Sequence, residues 1–163
     1  MLFKCGHNHN HGHAKHAPAS DAGGHTVRVE KLGVRTVDIH CHLHVPAADE
    51  LMKDVMDLSN EPLLWHANDA TRKFQMAHGQ DIMPQLTDTA LRLAEMDASG
   101  VDVQAVSTAP NHYAYWTEPE LGREVAQTVN EAIAELVASH PDRFVGLCTV
   151  PLQNPEMAVA ELE

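Results

Sequence analysis

Val34-Arg35-Thr36-Val37-Asp38-Ile39-His40-Cys41-His42 reads as a strand running into a chemical motif, with Pro46 closing the extended stretch. Alternate residues of a strand share a face. That alternation places Asp38, His40 and His42 on one face and Ile39 and Cys41 on the other. Two imidazoles about 7 Å apart along a strand can both reach one metal ion. Asp38, on the same face, is positioned to accept a hydrogen bond from one of them and orient it. His44 continues the parity, but Pro46 bends the chain before that matters. Cys41 faces the opposite layer and reads as a small core residue. Two histidines do not complete a catalytic zinc site, which needs at least three protein ligands and an open position. Taken alone, the pair is equally compatible with a surface or structural role.

Working outward, Val27 and Val29 alternate with Arg28 and Glu30 as a short strand before the turn at Lys31-Leu32-Gly33. Downstream, Ala47 to Leu58 can form an amphipathic helix, with Leu51, Met52, Val55 and Met56 at helical spacing. Asn60 to Gln85 is polar, contains Pro62 and Pro84, and reads as irregular, so 47–85 is an insertion. A helix is expected over about 87–99, capped by Thr87 or Asp88 and ended by Gly100. Val101 to Ser107 is a short strand. Thr117-Glu118-Pro119-Glu120 has the pattern of a capping box with Pro at the first helical position. The following stripe, Leu121, Val125, Val129, Ile133, Leu136 and Val137, predicts a buried helix face that His140-Pro141 terminates. Phe144 to Val150 is a third strand, and Asn154-Pro155-Glu156 starts a further helix. Strands alternating with helices indicate an α/β fold of parallel βαβ units. A (β/α)₈ barrel needs ~250 residues. The 163 residues here hold three such units, as a small open sheet or as the first part of a longer barrel.

Six of the thirteen histidines precede residue 26, among Gly, Asn, Ala and Ser. That stretch, 1–25, lacks the apolar surface needed to offset ordering entropy and is expected to be a disordered tail. His7, His9, His11 and His13 alternate, so they are candidates for capturing a transition metal. The net charge is −12 and the tail contributes +1, so the body carries −13. So acidic a body excludes nucleic acid as the main partner, because phosphate binding needs clustered Lys and Arg. No apolar run approaches the ~20 residues of a membrane span. Three scattered cysteines fit a reducing cytoplasm better than a disulfide scaffold.

Asp38-Ile39-His40-Cys41-His42-Leu43 resembles the opening motif of the amidohydrolase superfamily. Arg92 to Asp97, Gly100 to Thr108, Tyr115-Trp116, His140 to Leu147 and Thr149 to Gln153 resemble its decarboxylase branch in the same order. The resemblance covers roughly 36–163. It implies a (β/α)₈ barrel holding one divalent metal, Zn²⁺ by expectation, with His40 and His42 as two ligands. It further implies that the remaining ligands and the catalytic residues lie beyond residue 163. This stretch alone is then an inactive N-terminal part of the enzyme, its first three βα units. The branch's arginine for the substrate carboxylate has no match between Phe74 and Leu91, and Arg72 lies too far upstream.

The expected activity is removal of CO₂ from a small unsaturated or aromatic carboxylic acid by a metal-dependent lyase. Tyr115 and Trp116, in the loop after the second strand, are expected to wall the substrate pocket. Two alternatives stay open: hydrolysis of an amide or lactone by the same metal site, and a non-catalytic protein whose His-rich tail captures metal. His66, His78, His112 and His140 read as surface or structural histidines, and Arg143, Asp97 and Asp102 as structural. Homo-oligomerisation stays open as well.

Overall fold

Asp88, Gly100, Pro119 and Asn154 mark the helix ends that frame a parallel sheet. The computed structural model describes residues 33–57, 59 and 65–163. The tail histidines His7, His9, His11 and His13 and the strand expected at Val27 and Val29 lie outside the described residues. The elements run β1 (Val37–Leu43), α1 (Pro46–Met52), α2 (Asp69–Thr87), α3 (Thr89–Ser99) and β2 (Val103–Thr108). A 3₁₀ turn (Pro110–His112), α4 (Pro119–Ser139), β3 (Phe144–Gly146) and α5 (Pro155–Leu162) follow. The sheet is parallel in the order β1-β2-β3, with Val37 opposite Val103 and Gln104 opposite Phe144. This is the α/β pattern of strands alternating with helices.

Capping chemistry sets these boundaries. Asp88 Oδ1 accepts from the N–H groups of Ala90 (2.8 Å) and Leu91 (3.0 Å), and Gly100 closes α3 at φ 74°. Asn154 Oδ1 accepts from Met157 N at 3.0 Å to start α5. At α4 the expected capping box does not form. Glu118 is the cap residue, Pro119 is the first helical residue, and the Thr117 hydroxyl donates to the Ala114 carbonyl at 2.8 Å. Proline's preset φ, rather than a side-chain cap, starts this helix.

Val125, Val129, Ile133 and Leu136 of α4 pack against β2, β3 and α1. With Val106 and Phe144 below them they form the core, each fully buried side chain contributing about 1.5–3 kcal/mol. Gly146 is required there, because a Cβ would lie 2.8 Å from Ile133 Cγ2.

Three expectations need correction. Most of the stretch read as irregular, 60–85, belongs to a 19-residue helix, Asp69–Thr87, which also takes in Thr87, read as a cap of the next helix. It buries no residue, so it carries no apolar stripe to betray its period. The Asn68 cap on Thr71 N (2.9 Å) and residues such as Lys73, Gln75 and Ala77 hold it by local propensity. The first helix ends at Met52 rather than Leu58, where Val55 and Met56 N–H groups both turn back to the Met52 carbonyl. The third strand is only three residues, and Val145 and Leu147 are exposed. Among the described residues no helix is long and apolar enough to cross a membrane.

Candidate functional site: a histidine pair on a bulged strand

β1 is not a regular strand. Asp38 pairs with Gln104 and Cys41 with Val106, so three steps of β1 oppose two of β2 and the register shifts between them. This β-bulge breaks the period-2 alternation at the motif. Asp38 therefore shares the face of Gln104 and Val106, whereas His42 lies opposite Ser107. The expectation that Asp38 sits on the imidazole face is corrected accordingly. Its carboxylate accepts the His40 backbone N–H at 3.0 Å and the Gln104 Nε2–H at 3.3 Å. It steers His40 through the main chain, not through the ring.

The two imidazoles do come together. Their ring centroids lie 5.3 Å apart, edge to face. His40 is exposed and His42 half-buried. His42 Nδ1 lies 2.9 Å from the Thr108 carbonyl and 3.0 Å from Ser107 Oγ. A carbonyl only accepts, so Nδ1 carries the hydrogen and Nε2 keeps its lone pair. Ser107 Oγ in turn donates to the Cys41 carbonyl at 3.2 Å, leaving its lone pairs to Nδ1–H. A ligating imidazole is normally held this way, its second nitrogen donating to a carbonyl. The pair thus fits a divalent ion by its donor chemistry.

Behind the pair stands Arg92, 6% exposed. It donates to the His42 carbonyl (2.6 Å), the Gln104 amide oxygen (3.1 Å) and the Leu86 carbonyl (3.4 Å). Burial lowers its pKa from the ordinary arginine value, with Cys41, Glu95 and Asp38 opposing that shift. Cys41 donates its thiol to the Ala105 carbonyl at 3.2 Å. Burial, reinforced by the Asp38 carboxylate and opposed by Arg92, pushes this thiol up to about 11. A cleft of about 300 Å³ is lined by His40, His42, Asp38, Arg92, Glu95 and Gln104.

A second constellation escaped the sequence. His44, just past β1, Asp49 in α1 and His112 in the 3₁₀ turn meet, their ligand atoms all within 4.8 Å of one another. His44 Nε2 is 2.6 Å from Asp49 Oδ2, and His112 Nε2 is 2.8 Å from Asp49 Oδ1. Burial lowers the His112 pKa, His44 adds to the shift and Asp49 opposes it. Sixty-three residues separate Asp49 from His112, so no local spacing signals the contact.

Tyr115 and Trp116 lie between β2 and α4, as expected, but Tyr115 stacks on Tyr113 at 5.4 Å and not on a motif histidine. Trp116 is half-buried. His78 stacks on Phe74, and His140 caps α4. Arg143 binds the Asp97 carboxylate at 2.9 Å and the Asp102 carbonyl at 3.0 Å, joining α3, the start of β2 and β3.

The amidohydrolase family model matches residues 37–163, starting at the first residue of β1. The chain belongs to the amidohydrolase family. Among amidohydrolase relatives, it is 37% identical over 75 residues to 2-amino-3-carboxymuconate-6-semialdehyde decarboxylase of Dictyostelium discoideum, covering 46% of this chain and 21% of the relative. The Caenorhabditis elegans enzyme of that name is 30% identical over 134 residues, with 77% and 31% covered. A gamma-resorcylate decarboxylase of Rhizobium sp. (strain MTP-10005) is 36% identical over 80 residues, with 48% and 23% covered. In three dimensions the chain matches 5-carboxyvanillate decarboxylase of Sphingomonas paucimobilis at TM-score 0.60 and 28% identity, over 78% of this chain and 38% of that one. The chain spans less than a third of the length of these curated relatives.

Proposed function

We propose that the chain supplies the first three βα units of a (β/α)₈ amidohydrolase barrel whose complete form is a metal-dependent carboxy-lyase. The substrate is a small aromatic or unsaturated carboxylic acid. The observation that carries this is the His40–His42 pair, with rings 5.3 Å apart and His42 Nδ1 committed to Thr108 and Ser107. It is supported by the family match and by three curated relatives that are all decarboxylases.

In this reading His40 and His42 hold a divalent ion, Zn²⁺ on the preference of imidazole donors. When bound, such an ion acts as a Lewis acid toward the oxygens of the substrate. The chain's own part is positioning. Thr108 and Ser107 fix the His42 tautomer, Arg92 pins the His42 carbonyl, and Asp38 ties down the His40 main chain. Tyr115 and Trp116 form one wall for a flat acid. The free thiols of Cys41 and Cys148 fit a cytoplasmic location.

The test is product analysis on the complete, metal-loaded barrel protein with gamma-resorcylate, 5-carboxyvanillate and 2-amino-3-carboxymuconate-6-semialdehyde. CO₂ release from any of them, lost on chelation and restored by the metal, supports the assignment. Turnover only of amide or lactone substrates, with no CO₂ from any acid, contradicts it.

A further inference from the structure

We propose that His44, Asp49 and His112 form a second divalent-metal site of the zinc class, separate from the His40–His42 pair. Three elements converge to build it: the end of β1, α1 and the 3₁₀ turn after β2. The donor set is two imidazole nitrogens and one carboxylate, which is a catalytic-type zinc complement of three protein ligands. Its ligand atoms lie within 4.8 Å of one another.

The burial pattern says where an ion enters. The His44 and His112 side chains are 9% and 0% exposed, while Asp49 is 44% exposed. Two nitrogens are therefore held in a dry wall, and the carboxylate forms the side open to solvent. Each imidazole uses Nε2 toward a different oxygen of the same carboxylate. An ion bound among the three would replace these two direct contacts, with its fourth position toward the open Asp49 side.

Among the described residues His112 Nδ1 is buried and has no partner, so the ring's one directed polar contact is Nε2 toward Asp49. Bound metal would fasten the segment that carries Tyr113 and Tyr115 to α1. The site does not depend on the proposed lyase activity, since none of its ligands belongs to the His40–His42 pair.

The experiment uses the full chain with His40→Ala and His42→Ala, and with His7, His9, His11, His13, His16 and His25 changed to Asn to silence the tail. After chelator stripping, Zn²⁺ is titrated by calorimetry and Co²⁺ by visible absorption. The expected result is a single equivalent of Zn²⁺ and the d–d bands of a four-coordinate nitrogen–oxygen site. Asp49→Asn removes both while leaving the circular dichroism unchanged, since its side chain is part-exposed and near in shape. His112→Ala is the second variant. X-ray absorption of the Zn²⁺-loaded parent provides a check that needs no ligand variant, by counting two imidazoles per ion. No Zn²⁺ bound by the folded parent overturns the proposal. So does a stoichiometry untouched by Asp49→Asn, or an ion with fewer than two imidazoles.

Discussion

Arg92→Met should destabilise the protein by about 3 kcal/mol. The figure follows from its contacts. Arg92 makes two short bonds, to the His42 carbonyl at 2.6 Å and the Gln104 amide oxygen at 3.1 Å, and a weaker one to Leu86 at 3.4 Å. Hydrogen bonds from a charged donor contribute roughly 1.5–3 kcal/mol each, so the two short ones sum to roughly 3–6 kcal/mol. Removing the cation also recovers part of its desolvation cost, which brings the net loss down toward the lower bound. The Leu86 carbonyl adds little, because it also accepts the His44 N–H at 3.1 Å. Arg92→Lys should recover only part of the loss, since one ammonium cannot reproduce the fork that bridges β1 and β2. Urea unfolding followed by circular dichroism measures both variants, at unchanged m-value. If Arg92→Met unfolds within about 0.5 kcal/mol of wild type, the claim that this guanidinium braces the motif strand is wrong.

Cys41 has its pKa raised from 9.0 to about 11 in the folded state, so its contribution to stability is complete below pH 9 and is lost as pH rises from 9 to 11. Across that window wild type should lose roughly 2–3 kcal/mol more than Cys41→Ala, read from paired denaturation curves; parallel curves would refute the assignment. At pH 8 iodoacetamide should label exposed Cys148 and spare Cys41, which peptide mapping of the native protein checks. Ser107→Ala takes one acceptor from His42 Nδ1 and leaves the Thr108 carbonyl, so in the complete barrel protein metal affinity at the site that His40 and His42 contribute to should fall by about tenfold or less in a chelator competition. A larger loss would mean that Ser107, not Thr108, fixes the tautomer.

Where packing writes a period into the sequence, the fold could be read in advance. The Val125-Val129-Ile133 spacing located α4, and Asp88, Gly100 and Asn154 located the ends of α3 and α5, because caps act over one turn. Helix α2 was invisible for the opposite reason: it buries nothing, so its residues keep no rhythm. The His40–His42 pair was legible since its partners are two residues apart. Asp38 was misplaced by the same rule, because a bulge between Asp38 and Cys41 ends the alternation that the rule assumes. Arg92 looked like part of a family pattern, but its hold on the His42 carbonyl spans fifty residues. His44, Asp49 and His112 lay further still from any local signal. His112 and Asp49 meet only once β1 and β2 are paired in parallel and their following loops are brought to the same end.

The central claim is that His40 and His42, and not Cys41, hold the divalent ion. The direct measurement is zinc content per chain by mass spectrometry on the complete barrel protein, as wild type, His40→Ala, His42→Ala and Cys41→Ser, each purified from the same medium with the tail histidines replaced. The account predicts that each histidine variant loses one equivalent relative to wild type, while Cys41→Ser keeps the full complement despite a stability loss of roughly 1–3 kcal/mol. Loss of the ion in Cys41→Ser with retention in His42→Ala would contradict it.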